Sequence, residues 1–510
     1  MKNLIKNKQF KWLTHTFICA LFWIVGFTLS DFIKTPVASF TDVVMVATHM
    51  TTILLASWTL ITLLSTLPTI VFTILYAFIT LLASILAFCR YTMGFSLNTM
   101  ILDIVFQNDI AISADMVTWE VFVWVCFATL CGTLLALLRR LYTIDWHSKW
   151  TYFVLVVSVC GLIIFLNPNG RFARPISERI PFNLYAVTKK HFEEKQEISK
   201  ERPRCFKVAT TSVDSLTVVV VIGEALRPQN MSINGYERST TPNLERLGAI
   251  SYDNVYSKYV YTNRSVPHIL TRADSANIQY AYTERSFIDV FKAAGYFTTF
   301  IANQDAEKSY VYFMNEADTC FRANTSKTVY NFEKWLDEDM LPYYISTIND
   351  NSPRQLVLLH CIGSHWWYNS HYSDDYKIYT PVITSRILSN CDSMAMVNSY
   401  DNTVCYTDFF LSQIIEPLQN RNAIVIFLSD HGEALGENGK WLHASESEAM
   451  HSTAAFVWFS PLYAKQFPQF VEQAENNRHK KWRTDFLYHS VIDAGHITTD
   501  VMDTTLSIFR

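Results

Sequence analysis

Asp430 and His431 stand side by side at the end of Ala423-Ile424-Val425-Ile426-Phe427-Leu428, a short apolar run that reads as a fully buried strand. Glu224 follows a second such run, 216–222, with only Gly223 between them. Carboxylate oxygen and neutral imidazole nitrogen are donor types that suit zinc. Ligands of α/β folds collect where parallel strands end, so the two ends together offer two carboxylates and one imidazole. A tetrahedral site then lacks one donor. A hydroxyl nucleophile would complete it, because a divalent cation lowers a hydroxyl's pKa and activates it for attack. Taken singly, Asp-His-Gly also reads as a solvated acidic turn and Glu224 as a helix-capping carboxylate. The pairing is what points to a metal.

These strand ends need a sheet. Similar apolar runs recur at 296–301, 356–362 and 453–459, and segments with helical spacing, 283–294 and 398–418, lie between them. Strands alternating with helices predict a largely parallel sheet covered on both faces. Upstream the composition changes. Half of the 510 residues are hydrophobic and 17% are charged, but the apolar residues crowd into the part before residue 167. Five segments there are long enough to span a bilayer, near 12–29, 43–64, 69–88, 121–138 and 151–166. The first is read as an uncleaved anchor, since no small-residue cleavage site follows it. Three parts result: 1–166, a transmembrane domain; 167–215, a charged lead-in; and 216–510, a soluble domain.

Basic residues orient the chain. Lys2, Lys6, Lys8 and Lys11 place the N-terminus in the cytoplasm, and Arg139, Arg140 and Lys149 fall in a later cytoplasmic loop. Five spans then leave the soluble domain outside the cytoplasm. A net charge of −4 implies no broad basic surface and argues against nucleic acid as a partner. Five of the ten cysteines, Cys205, Cys320, Cys361, Cys391 and Cys405, lie in the soluble domain. An oxidising compartment permits disulfides there, and the odd count leaves at least one thiol unpaired. Cys361, inside an apolar run, is expected to be buried.

An ordered set of motifs runs through the soluble domain. It comprises Val221-Ile222-Gly223-Glu224-Ala225-Leu226-Arg227, Asn234-Gly235-Tyr236-Glu237-Arg238-Ser239-Thr240-Thr241-Pro242, Gly363-Ser364-His365, Asn398-Ser399-Tyr400-Asp401-Asn402-Thr403 and Tyr406-Thr407-Asp408. It ends in Ser429-Asp430-His431-Gly432-Glu433-Ala434-Leu435-Gly436-Glu437-Asn438-Gly439-Lys440-Trp441-Leu442-His443. This set resembles the bacterial phosphoethanolamine transferases that modify lipid A and lipopolysaccharide core, members of the alkaline phosphatase/sulfatase superfamily. The resemblance extends to the layout of five spans followed by an extracytoplasmic domain. It implies an α/β alkaline-phosphatase-like domain in a bacterial inner-membrane protein, with that domain in the periplasm. It also implies zinc as cofactor, with manganese a second metal the same ligands would take.

Residue by residue, the resemblance carries metal ligation onto Glu224, Asp430 and His431. It places a threonine nucleophile and fourth ligand at Thr262, in Val260-Tyr261-Thr262-Asn263-Arg264-Ser265-Val266-Pro267. The loop departs from the Cys-Gly-Thr-Ser type of the lipid A enzymes, which leaves Ser265 as a rival hydroxyl. Arg264 is a candidate phosphate clamp. His365 and His443 match positions that face the phosphate or a second zinc, and His443 is a candidate acid for the leaving group. His451 and His489 fall in family-like stretches and divide between a site role and a structural one. The implied chemistry is a two-step transfer. Phosphatidylethanolamine loses diacylglycerol to leave phosphoethanolamine on Thr262, and an envelope glycan such as lipid A or core sugar then takes it up.

On the membrane side, the amphipathic stretch 100–109 reads either as an interfacial helix or as a plain loop. In the first case Asp103, Gln107, Asn108 and Asp109 would meet an ammonium head group in the lipid surface. Two rival readings stand beside the transferase. One is a phosphoglycerol transferase of the same superfamily acting on phosphatidylglycerol, and the other is an inactive membrane scaffold. The Cys/Ser-x-Pro-x-Arg motif that supplies a sulfatase's formylglycine does not occur.

Overall fold

A computed structural model describes residues 2–91, 97, 102, 119–167, 169–304, 309–323, 334–385, 388–443 and 447–510. They fall into two compact units, the first within Met1–Phe192 and the second within Glu193–Asn324 and Glu333–Arg510.

In the first unit α1 (Lys2–Phe27), α2 (Phe40–Leu64), α3 (Thr69–Tyr91), α4 (Trp119–Leu137) and α5 (Lys149–Phe165) cover the five apolar segments. Four stretches, 8–27, 40–64, 69–91 and 119–141, are long and apolar enough to cross a membrane. The fifth, α5, is a shorter apolar helix of 17 residues. α1 packs on α2, α2 on α5, and α3 on α4. Large apolar side chains such as Phe40, Ile70, Ile74, Phe127 and Ile163 point outward, as lipid-facing residues do. Several polar groups inside the bundle are paired, because an unmatched one in an apolar setting is costly. His15 sits between the Tyr142 hydroxyl at 2.7 Å and the Leu135 carbonyl at 2.8 Å. Asp31 meets Arg90 and the Tyr91 hydroxyl, each at 3.0 Å. The charged lead-in carries a further helix, α6 (Phe182–Ile198).

The second unit is built on an eight-stranded sheet. Its strands in chain order are β1 (Leu216–Gly223), β2 (Ile250–Tyr256), β3 (Phe297–Ala302), β4 (Thr319–Arg322), β5 (Arg354–His360), β6 (Ala423–Ser429), β7 (Ser452–Phe459) and β8 (Trp482–Arg483). Their spatial order is β8-β2-β7-β6-β1-β5-β3-β4. All neighbours are parallel except β7, which runs antiparallel to both β2 and β6. The apolar runs form strands as expected. β2 was not legible as a strand, since Ser251, Asp253 and Asn254 interrupt its apolar pattern.

The central strands alternate between two buried faces. Val218, Val220, Ile222, Ile424, Ile426 and Leu428 join one core, shared with the helices 262–270 and 486–494. Val219, Val221, Val425 and Phe427 join the other, shared with the long helix 393–415. A strand buried on both sides has no polar face, which is why these runs read as continuous Val, Ile and Leu. The helical segment expected at 283–294 is split in two, Tyr280–Thr283 and Phe287–Ala293, because Ser286 caps the second piece by accepting from the Ile288 N–H. All five cysteines of this unit are thiols, and Cys361 is buried as expected.

His489 lies in the helix 486–494, 5% exposed, and its Nδ1 accepts from the Asp503 N–H at 3.0 Å. Burial lowers its pKa to about 4. Below pH 6.5 the unfolded chain therefore binds a proton that the folded form refuses until about pH 4, and stability is lost as pH falls through that window. Replacing it, as in His489→Gln, should flatten the acid side of the stability profile by about 1.4 kcal/mol per pH unit between 6.5 and 4. Melting curves of the two proteins over that range, read on the second unit, check the difference.

Candidate active site

β6, β1 and β5 lie side by side and parallel in the middle of the sheet, so the residues after them emerge along one edge. Gly223 is opposite Ser429, and Ile222 is opposite both Leu428 and His360. The turns beyond are stitched together. Asp430 N–H reaches the Gly223 carbonyl at 3.1 Å, Leu226 N–H reaches Ser429 Oγ at 2.8 Å, and Ser364 N–H reaches the Glu224 carbonyl at 3.0 Å. The fit leaves no room for side chains at two points. Gly363 has φ +47°, and a Cβ there would stand 2.9 Å from the Glu224 carbonyl oxygen. A Cβ on Gly432 would stand 2.1 Å from the Ser452 carbonyl oxygen.

Glu224, Asp430 and His431 are at most 1% exposed, and one donor atom of each lies within 4.8 Å of the others. Glu224 Oε1 and Asp430 Oδ2 both stand 3.5 Å from His431 Nε2. The other atoms of the three groups are occupied. Asp430 Oδ1 accepts from the His431 and Ala225 N–H groups at 2.8 and 3.2 Å. His431 Nδ1 donates to the Gly432 carbonyl at 2.8 Å, which leaves a lone pair on Nε2. Glu224 Oε2 accepts from Gln304 Nε2 and Thr262 Oγ1, both at 2.9 Å. Glu224 Oε1, Asp430 Oδ2 and His431 Nε2 thus face one another, buried, with no hydrogen-bond partner among the described residues. Burial first, and then the Asp430 charge, pushes the Glu224 carboxyl well above its ordinary range. Three converging lone pairs, two of them on carboxyl groups, suit a divalent cation.

Thr262 opens a helix, Thr262–Leu270, whose preceding residue Tyr261 is extended. Its hydroxyl donates to Glu224 and so borders the three ligand groups. Ser265, one turn on, is buried with its hydroxyl committed to the Asp430 carbonyl at 2.6 Å. Geometry therefore separates the two hydroxyls that the sequence left as rivals. Arg264 is exposed on the same first turn.

His443 comes in from a small hairpin, Ala434–Leu435 paired with Trp441–Leu442. Its ring lies 5.0 Å from that of His431 and 6.3 Å from that of His365. His431, Glu433 and His443 form a second group of potential ligands within 4.8 Å of one another. Burial alone would lower the His443 pKa, but its Nδ1 bond to Glu433 Oε2 at 3.1 Å and the charges of Glu433 and Asp430 raise it overall. The two remaining candidate histidines stand apart from these groups. His451 stacks on Tyr256 and bonds the Ser257 carbonyl at 2.7 Å, and His489 accepts from Asp503. Asp103 and Asn108 lie outside the described residues.

Sequence reading passed over Glu433, Gln304 and Tyr368. Glu433 is fully buried and accepts from the Tyr368 hydroxyl at 2.5 Å as well as bonding His443. Its place two residues after His431 was a usable signal. Gln304 carried one too, since it follows β3, another parallel strand ending at the same edge.

Two outcomes are expected. Added zinc should raise the melting temperature of the unaltered protein, and Asp430→Asn, which removes one charge of the candidate ligand set, should abolish that rise along with bound metal measured after dialysis. Gly432→Ala should destabilise the second unit by about 1–3 kcal/mol, because the carbonyls it meets belong to fixed backbone; denaturant titration reads this directly.

The sulfatase family profile matches residues 217–497. Over 258 residues the chain is 30% identical to the phosphatidylethanolamine transferase Mcr-1 of Escherichia coli, covering 47% of this chain and 48% of that protein. Over 282 residues it is 30% identical to the Kdo(2)-lipid A phosphoethanolamine 7''-transferase of E. coli K12, covering 52% and 49%. The chain spans about half the length of the curated relatives it matches. The solved lipooligosaccharide phosphoethanolamine transferase A of Neisseria meningitidis superposes with a TM-score of 0.55 at 20% identity, over 97% of this chain and 98% of that one, a likeness of fold. The matched stretch begins within β1 and takes in Glu224, Thr262, Asp430, His431 and His443, and the chain belongs to the sulfatase family.

Proposed function

We propose that this chain is a metal-dependent transferase that moves phosphoethanolamine from phosphatidylethanolamine to a lipopolysaccharide acceptor, lipid A or a core sugar. The observation that carries the reading is the Thr262 hydroxyl, 2.9 Å from Glu224 at the edge of a buried cluster whose free donor atoms suit a divalent cation. The names of the two curated relatives, one a phosphatidylethanolamine transferase and one a Kdo(2)-lipid A phosphoethanolamine transferase, support the donor and the acceptor. An inner-membrane protein with its catalytic unit in the periplasm suits both substrates, and the N-terminal lysines favour that orientation.

Glu224, Asp430 and His431 would hold the metal, with the Thr262 hydroxyl beside them. Zinc suits the donors best, and manganese is the second choice. When bound, the metal lowers the hydroxyl's pKa and offsets charge that builds on the phosphate oxygens. The chain's own groups do the rest. Glu224 Oε2 orients the Thr262 hydroxyl, and Ser265 ties the helix to the Asp430 backbone. Thr262 Oγ1 passes its proton to Glu224 Oε2 and attacks phosphorus, the bond to diacylglycerol breaks, and the leaving oxygen takes a proton. With Nδ1 held by Glu433, the other nitrogen of His443 is the one able to give that proton. In the second step an acceptor oxygen gives its proton back to His443 and attacks phosphorus, the Thr262–phosphorus bond breaks, and Glu224 returns the proton to Thr262. His365 and Arg264 are assigned to the phosphate oxygens.

Detergent-purified protein offered head-group-labelled phosphatidylethanolamine or phosphatidylglycerol tests the reading by diacylglycerol release. Release from the ethanolamine lipid should fall by at least about a thousandfold in Thr262→Ala. Ser265→Ala should keep activity within about tenfold while losing about 1 kcal/mol of stability with its buried hydrogen bond. Release from the glycerol lipid alone would reassign the chain to phosphoglycerol transfer, and release from neither with zinc present would favour the inactive scaffold.

A further inference from the structure

Tyr261 immediately precedes Thr262. Its carbonyl accepts from the N–H groups of Arg264 and Ser265 at 3.0 and 2.9 Å, so its backbone is fixed by the first turn of the helix. The residue is 46% exposed and belongs to none of the hydrophobic cores of the unit. The ring's one aromatic neighbour among the described residues is His443, edge to face at 6.1 Å. A large aromatic ring at the mouth of a polar cluster is therefore not explained by packing.

Other tyrosines of this unit carry a cation from the chain itself over the ring. Lys258 lies 5.7 Å from the centroid of Tyr259, Arg272 lies 4.4 Å from that of Tyr280, and Arg238 lies 4.7 Å from that of Tyr379. Among the described residues no lysine or arginine covers Tyr261. An ammonium group within ~6 Å of a ring centroid is attracted to its face. In phosphoethanolamine the ammonium is four bonds from phosphorus, and phosphorus must come to the neighbouring Thr262.

We propose that Tyr261 is a specificity-determining residue that receives the ethanolammonium head of the donor on its ring. The inference rests on the phosphoethanolamine reading above and adds how this chain tells that head group from an uncharged one of similar size. Because Tyr261 is fixed next to the nucleophile, the contact persists when the head group is carried on Thr262.

The test compares full-length wild type, Tyr261→Phe and Tyr261→Leu in detergent. Each is offered phosphatidylethanolamine, its N-acetylated form, which keeps the ethanolamine frame without the charge, and phosphatidylglycerol. Diacylglycerol release gives kcat and KM for each lipid. Tyr261→Leu should raise KM for phosphatidylethanolamine by about five- to thirtyfold with kcat little changed. Its activity on the two uncharged head groups should stay within twofold of wild type, and Tyr261→Phe should restore the wild-type KM. A leucine variant as good as wild type on phosphatidylethanolamine overturns the proposal, as does one that weakens all three lipids equally. A wild-type protein that is active on neither ethanolamine lipid overturns the transferase reading itself, and this proposal with it.

Discussion

Two carboxylates and an imidazole share one buried space at the ends of β1 and β6, and the rest of the second unit is arranged around that placement. Glu224 and Asp430 are both buried, and each turns an oxygen with no hydrogen-bond partner among the described residues toward the same His431 nitrogen. Like charges in a low-dielectric interior repel unless a cation or a proton stands between them. The arrangement is therefore unfavourable as a structural device and sensible as a binding one. Surrounding groups hold it against that repulsion. His431 and Ala225 lend backbone N–H groups to Asp430, and Gln304 and Thr262 lend side-chain donors to Glu224.

A layer of buried polar contacts keeps the strand ends in place, and much of it comes from the helix 393–415. Tyr400 donates to the Ala225 carbonyl at 2.8 Å and accepts from the Arg227 N–H at 3.0 Å, fixing the backbone on either side of Leu226. Asp401 gathers Asn230, Tyr236 and Arg238, at 2.7 to 2.8 Å, and so secures the segment that leaves β1. Thr403 bonds Ser364, and Asp408 takes the N–H groups of Asn243 and Leu244 at the start of a short helix. Asn398, Asp401, Thr403 and Asp408 of the helix 393–415 are each buried and committed in this way. Their effect on chemistry passes through the backbone they hold.

A second relay ties the hairpin to the cluster. Arg227 bonds both the Glu433 carbonyl and the Glu437 carboxylate, while Glu433 holds His443 and is held by Tyr368. His443 and the Glu433 that holds it are thus braced by residues from after β1, after β5 and after β6. Convergence of several strand ends on one point is what a parallel sheet provides.

Much of this was legible in the sequence. β1, β5 and β6 are continuous apolar runs because both of their faces are covered, and a polar residue ending such a run stands out, as Glu224 and Asp430 do. The apolar helices of the first unit are legible for a similar reason, since lipid demands long uninterrupted runs. What the sequence left open are matters of distance between residues far apart in the chain. Thr262 and Ser265 are the same kind of residue in the same short loop, and only the fold shows one hydroxyl beside Glu224 and the other locked to a carbonyl. His443 and His489 both sit in suggestive stretches, yet one lies in ring contact with His431 and the other supports a backbone turn. Local pattern records which residues are buried, because burial constrains each position separately. Which buried residues meet depends on strand order and on contacts across 200 or so residues of chain, as between Ala225 and Asp430, and that is decided only when the sheet has assembled.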